Sequence, residues 1–120
     1  MKKIIAVFCL WVASNSVMAG FITGYDLEKA RIEYEKSGLG VNYNSFGYSM
    51  YDNYILGVVD MAVHLNLICI PMDVKGKQLF SIVGNYLKAH PEKWSNDAHI
   101  IVLTSLVKVY PCPKPKPRKD

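Results

Sequence analysis

Excess positive charge is largely missing from the body of this chain. The 120 residues carry a formal net charge of +4, but residues 20–112 contain eight Lys and Arg against nine Asp and Glu. The surplus comes from Lys2 and Lys3 and from four basic residues among the last eight. Nucleic-acid-binding domains present a basic face to phosphates. The charge distribution therefore argues against a nucleic-acid partner, and the length fits one small domain with processed ends.

Catalytic motifs are also missing. The sequence has no glycine-rich phosphate loop, no serine flanked by glycines at a strand-to-helix turn, and no paired metal-ligand spacing. His90, Glu92, Asp97 and His99 lie near one another in the sequence, but their spacing matches no known zinc site. We interpret them as loop polarity and helix capping. The sequence therefore predicts neither an enzyme nor a metal or other cofactor.

Long hydrophobic runs are scarce. The apolar run at residues 4–12 is too short for a membrane span, which needs about 20 apolar residues. It follows Lys2 and Lys3 and precedes Val17-Met18-Ala19, a cleavage signature of small residues. This order is typical of a secretory signal peptide. We therefore predict that residues 1–19 are removed and that the mature protein is exported without a stable membrane anchor.

Cysteine is rare as well. Of three cysteines, Cys9 lies in the predicted signal peptide, which leaves Cys69 and Cys112 in an exported protein. Oxidising compartments favour disulfides. A bond between these two would close a loop of 43 residues, worth on the order of 4 kcal/mol. The alternative, a nucleophilic thiol paired with one of the three histidines, requires a cysteine that stays reduced outside the cytoplasm.

What the sequence does contain is helical periodicity. Apolar residues recur at spacings of three and four in four segments, so we predict an all-α, compact bundle of about four helices with one intramolecular disulfide. The predicted helices cover residues 26–37, residues 50–67, a third segment from a cap at Asp73 to His90, and a fourth from a cap within 95–97 to Pro111. Residues 38–49 are predicted to be a loop. The helical domain spans residues 20–112, and the basic, proline-rich tail 113–120 is expected to be extended and dispensable.

Two segments have the composition of recognition surfaces. Tyrosine is enriched at protein interfaces, and one aromatic cluster consists of Tyr43, Phe46, Tyr48, Tyr51 and Tyr54. These rings either form an interface or only cover the second helix. The other segment is the loop between the third and fourth helices, where Trp94 is either an exposed anchor or a ring that seals the end of the bundle.

Several short motifs occur in one order: YILGVVD at 54–60, CIP at 69–71, QLFSIVGNYL at 78–87, HPE at 90–92 and YPC at 110–112. Together with the export signal, they resemble the type VI secretion amidase immunity family over roughly residues 50–112. The resemblance implies a small, helical, periplasmic protein that dimerises and inhibits a peptidoglycan amidase delivered by a neighbouring cell. Such amidases use a cysteine and a histidine, and the inhibitor places a protruding loop in their catalytic groove.

The resemblance also implies roles for particular residues. Cys69 and Cys112 match the family's bridging cysteines, while Gly57, Asp60, Pro71, His90 and Pro91 match its structural signature. The protruding loop falls on residues 89–96, so the predicted toxin-binding residues are His90, Glu92, Lys93, Trp94 and Ser95. The aromatic cluster is a possible second interface.

The second helix is apolar around most of its circumference. Its neighbours in a small bundle do not readily cover that much apolar surface, which predicts a homodimer.

The alternative function is a periplasmic acid-stress chaperone, or another small envelope binding protein. A chaperone of that kind loses order and exposes apolar surface near pH 2 to 3, whereas an immunity protein has no need to.

Overall fold

A computed structural model describes residues 21–115 and Arg118 of the chain. Within these residues the structure has no strand, and its helices are α1 (Gly24–Gly38), α2 (Ser45–His64), α3 (Gly76–Ala89) and α4 (Ala98–Val109), with a 3-10 turn at Pro91–Lys93. This confirms the predicted all-α fold of four helices. The predicted signal peptide lies outside the described residues. No helix among the described residues combines the length and apolar content that crossing a bilayer requires.

The start of α2 differs from the prediction. Residues 45–49 were predicted to be loop because they follow a segment rich in glycine, asparagine and serine, but α2 begins at Ser45. The side chain of Asn44 accepts hydrogen bonds from the backbone N–H groups of Phe46, at 2.9 Å, and Gly47, at 3.2 Å. Asparagine at this position satisfies N–H groups that have no partner within the helix. The cap therefore extends the helix by five residues into the predicted loop.

The starts of the last two helices lie close to their predicted caps. The N-cap of α3 is Lys75 rather than Asp73, and its backbone N–H donates to the Gln78 side-chain oxygen at 2.8 Å. The N-cap of α4 is Asp97, within the predicted segment 95–97. Both helices end where the sequence predicts, before His90-Pro91 and before Pro111.

The core lies between the four helices and includes the connection from α2 to α3. Every helix contributes fully buried side chains, as does that connection: Leu27, Tyr51, Ile55, Ile68, Val83, Leu87, Ile101, Val102 and Leu106. Burying one such aliphatic side chain stabilises the fold by about 1.5 to 3 kcal/mol. One apolar face of each helix therefore meets the others in a single core.

A disulfide joins Cys69 to Cys112, with Cα atoms 4.8 Å apart. It connects the segment after α2 to the segment after α4, and the Cys69 N–H also donates to the Tyr110 carbonyl at 3.0 Å. The predicted intramolecular bond is confirmed. Because both sulfur atoms take part in it, neither cysteine is the nucleophilic thiol of the alternative prediction.

Candidate functional site

The segment between α3 and α4, residues 89–96, forms an ordered loop. The Lys93 N–H donates to the His90 carbonyl at 3.0 Å, and the Asn96 N–H donates to the Lys93 carbonyl at 2.9 Å. The side chains of Glu92, Lys93 and Ser95 are exposed. The backbone of the loop is thus fixed by its own turns while these three polar groups face solvent.

The start of α1 holds the loop from its other side. The N–H groups of Gly24 and Tyr25 donate to the carbonyls of Asn96, at 2.8 Å, and Trp94, at 2.9 Å. A Cβ atom on Gly24 would lie 2.6 Å from the Trp94 Cα, closer than any side chain tolerates. Glycine at position 24 is therefore needed for this close approach.

Trp94 packs against the end of the bundle. Its Nε1–H donates to the Leu87 carbonyl at 2.9 Å, and its ring meets the edge of Tyr25 with centroids 6.0 Å apart. The indole thereby satisfies a carbonyl in the last turn of α3, where helices lack internal donors. The side chain is half-buried, and this geometry corresponds to the alternative in which the ring seals the bundle. Its contact with a toxin stays a prediction.

His90 and Glu92 form a pair at the base of the 3-10 turn. His90 Nδ1 lies 2.9 Å from Glu92 Oε1, and the His90 ring packs on Tyr86 with centroids 4.4 Å apart. The hydrogen bond with His90, followed by one from the Glu92 backbone, lowers the pKa of the Glu92 carboxyl. Within residues 21–115 no three His, Cys, Asp or Glu side chains lie close enough together to hold a metal ion.

The structure divides the aromatic cluster that the sequence places at residues 43–54. Tyr51 is buried, with its hydroxyl donating to the Phe80 carbonyl at 2.6 Å, and Tyr54 is half-buried. Tyr48 is half-buried and stacks on Tyr34. Tyr43 and Phe46 are exposed. The cluster is therefore part core and part surface, rather than a single face.

An apolar groove runs between α2 and α4. Its volume is about 540 Å³. The residues that line it are Asn53, Tyr54, Gly57, Val58, Met61, Ala62, Leu65, Leu67, His99 and Leu103. Met61, Leu65 and Leu67 are all exposed. We refer to this surface as the α2–α4 groove.

A partly buried cluster of charges joins α1 to α3, and no pattern in the sequence predicts it. Arg31 is 7% exposed. Its Nε and Nη2 donate to the Glu28 carboxylate at 2.6 and 2.5 Å. Glu35 Oε1 lies 2.6 Å from Arg31 Nη1 and 2.9 Å from Lys88 Nζ. The spacing of Glu28, Arg31 and Glu35 is visible in the sequence, but it also fits an exposed helix face.

The pKa values of Arg31 and Glu35 are both shifted within this cluster. Hydrogen bonding to Glu28 raises the pKa of Arg31 despite the opposing effect of burial. Hydrogen bonding from Lys88 contributes most to the lowered pKa of Glu35, and the nearby positive charge of Arg31 lowers it further. Both shifts favour the charged forms of Arg31 and Glu35.

Comparison with known proteins identifies the family. The family model of the Rap1a immunity proteins matches residues 23–112, which include all four helices, the 89–96 loop and both bridged cysteines. No curated protein matches the chain. The model covers three quarters of the sequence, beginning one residue before α1 and ending at Cys112. The chain therefore belongs to the Rap1a immunity protein family, a family of type VI secretion effector immunity proteins.

Proposed function

We propose that this type VI effector immunity protein acts in the periplasm, after loss of residues 1–19, as a non-catalytic inhibitor of a peptidoglycan amidase. The 89–96 loop enters the groove that holds the amidase's cysteine and histidine and excludes the substrate. The observation that carries this proposal is the loop itself, which is ordered by its own turns and by α1 while its polar side chains face solvent. Family membership favours this function over the acid-stress chaperone.

An inhibitory loop must be ordered before it binds, since ordering it on binding would reduce the affinity. Here Trp94 supports the loop from beneath, and the hydrogen bonds from Gly24 and Tyr25 hold its far side. Glu92, Lys93 and Ser95 are then the contact residues, with His90 orienting the Glu92 carboxylate. An ionised carboxylate is a suitable acceptor for the N–H of a catalytic histidine.

A second copy of the chain is the proposed occupant of the α2–α4 groove. The exposed apolar side chains there form a continuous patch, and such patches on small proteins mark interaction sites. In a two-fold dimer the grooves of the two subunits would face each other, and each subunit would cover the apolar patch of the other. The exposed apolar patch supports this groove as the interface of the homodimer that the resemblance implies.

The loop proposal is tested with the cognate peptidoglycan amidase, carrying alanine in place of its catalytic cysteine. We expect the double variant Glu92→Ala/Lys93→Ala to weaken binding at least tenfold in calorimetry, because truncating central contacts of an interface commonly costs about 2 kcal/mol or more. Its melting temperature should stay at the wild-type value, since both side chains are exposed.

The matched control is Asp73→Ala/Lys77→Ala, which removes an exposed acid and an exposed lysine near the start of α3. This pair should leave binding unchanged. Trp94→Phe keeps an aromatic ring beneath the loop but deletes the Nε1–H donor, so we expect reduced stability with a smaller effect on affinity. Wild-type affinity in Glu92→Ala/Lys93→Ala would contradict the loop as the inhibitory element.

A further inference from the structure

We propose that the cleft above Arg31 is a second contact point for the effector, where a carboxylate side chain of the toxin displaces Glu35 and pairs with Arg31 and Lys88. This inference rests on the proposed function, because it adds a specificity-determining contact beside the inhibitory loop. The chemistry that the cleft recognises is a single carboxylate on the partner's surface.

The cleft lies between α1 and α3 and has a volume of about 210 Å³. Ser81, Gly84, Asn85 and Lys88 line it at spacings of three and four, so one face of α3 forms its wall. Lys88 lines the cleft and immediately precedes the 89–96 loop in the chain. We therefore expect one effector molecule to contact both the loop and the cleft.

The absence of a side chain at position 84 keeps the cleft open. A Cβ atom there would lie 3.0 Å from the Tyr51 hydroxyl oxygen and 3.5 Å from the Arg31 Cδ. Gly84 is buried, so no larger residue fits without displacing the side chains beneath it. Glycine thus allows the aliphatic part of the Arg31 side chain to lie against the wall of the cleft.

Arg31 has one donor group that the cluster leaves incompletely satisfied. Glu28 takes the Nε and Nη2 protons, and its side chain is only 10% exposed. Arg31 Nη1 is buried and makes no hydrogen bond, although Glu35 Oε1 is 2.6 Å away. A short separation without hydrogen-bond geometry means that Glu35 supplies charge but not a directed acceptor. A second carboxylate, better aligned, would supply both.

Glu35 is the group that an incoming carboxylate displaces most easily. Its side chain is 46% exposed, and one oxygen serves both Arg31 and Lys88. When Glu35 turns into solvent, two cations remain with the single carboxylate of Glu28, which leaves a net charge of +1. A half-buried cationic site of this kind requires an anionic partner, and the arginine fork matches a carboxylate.

A purely structural cluster and a docking site predict different effects of one substitution on the affinity for the effector. Glu35→Gln removes the competing carboxylate while keeping the shape of the side chain. If the cleft receives a toxin carboxylate, this variant binds the effector more tightly, whereas Lys88→Met binds it more weakly. If the cluster only fastens α1 to α3, both variants lower the melting temperature and neither changes the affinity.

The matched control is the neighbouring pair of Glu33 and Lys36, which form an ion pair 2.8 Å apart on α1 and do not line the cleft. Glu33→Gln and Lys36→Met change the net charge by the same amounts as Glu35→Gln and Lys88→Met. They therefore measure the general effect of charge on association with the effector. If the cleft is a specific contact, Glu35→Gln increases the affinity more than Glu33→Gln does, and Lys88→Met decreases it more than Lys36→Met does.

The experiment measures the calorimetric affinity of the four variants for the cysteine-to-alanine form of the cognate amidase. We expect Glu35→Gln to bind about fivefold more tightly and Lys88→Met about tenfold more weakly, with Glu33→Gln and Lys36→Met near wild type. Equal affinities in the Glu35 and Lys88 variants, with wild-type binding intact, would overturn the cleft and leave the loop standing. Failure of the wild-type protein to bind the amidase would overturn both.

Discussion

At the scale of single residues, Tyr51 is the most buried polar group on α2. Its ring lies in the core, and its hydroxyl donates to the Phe80 carbonyl on α3 at 2.6 Å. Burial raises the pKa of Tyr51 above the ordinary value of 10.0 and outweighs the nearby charge of Arg31, which lowers it. The folded protein therefore keeps this phenol neutral under conditions in which the unfolded chain ionises it.

The raised pKa of Tyr51 determines how the free energy of unfolding changes with pH. A group whose pKa is raised by folding contributes fully below its unfolded pKa, and its contribution falls as the pH rises through the folded value. We expect the free energy of unfolding of the wild type to decrease above about pH 10. Tyr51→Phe should cost about 1 to 2 kcal/mol at pH 7, from the lost hydrogen bond, and should flatten this alkaline decrease.

Urea unfolding at pH 7 and at several values between pH 9 and 11 measures both effects. Tyr43→Phe is the control, because that ring is exposed and its loss of a hydroxyl should leave both the stability and its pH dependence near wild type. An alkaline decrease of equal slope in Tyr51→Phe would show that other groups cause it.

Trp94 shows why residue roles are the hardest part to predict from the sequence. Its spacing from Pro91 indicates a loop tryptophan, and both an exposed anchor and a ring that seals the bundle fit that spacing. The contacts that distinguish them are the Leu87 carbonyl and Tyr25, on two different helices. No pattern within residues 90–95 contains that information.

At the scale of elements, periodicity locates all four helices, and the errors concern their ends. The start of α2 was misplaced because glycine and serine in 45–49 are common in loops, whereas the Asn44 side chain caps a helix there. The charge cluster was missed because Lys88 joins it from α3, more than fifty residues from Glu35. Local composition predicts neither a cap that overrides propensity nor a contact between distant helices.

The proposed dimer interface includes one face of α2, and a substitution of Gly57 on that face tests it. A Cβ at Gly57 meets no atom within 4 Å, so a larger side chain there does not disturb the folded subunit. We expect Gly57→Arg to place a charge in the α2–α4 groove and to convert a dimer into a monomer in light scattering. Because arginine favours helix more than glycine does, the subunit itself should not be destabilised.

Gly38→Arg is the matched control, since its Cβ also meets nothing within 4 Å and it lies at the end of α1 outside the groove. This variant should remain dimeric. A monomeric wild type at tens of micromolar, or a dimeric Gly57→Arg, would contradict the assignment of the interface to the α2–α4 groove.

At the scale of the whole molecule, the disulfide closes a loop that contains α3, the 89–96 loop and α4. Constraining 43 residues in the unfolded chain raises the free energy of that state more than that of the folded one. We expect Cys69→Ser/Cys112→Ser to lower the free energy of unfolding by about 2 to 5 kcal/mol, as measured by urea titration.

The reduced wild-type protein serves as the comparison for the double serine variant. The two should unfold at similar urea concentrations, while the oxidised protein unfolds at a higher one. If the serine variant were as stable as the oxidised wild type, the disulfide would contribute nothing to the fold.

The position of this bond bears on how the protein withstands proteolysis. A protease that cuts the exposed loop after Lys93 divides the chain into two pieces, one containing Cys69 and the other Cys112. The disulfide holds these pieces together, and the hydrogen bonds from Gly24 and Tyr25 still hold Trp94 and Asn96, on the C-terminal side of the cut. A single cut therefore releases no fragment, so an immunity protein with this disulfide keeps both halves of the chain together after cleavage that would separate them in its absence.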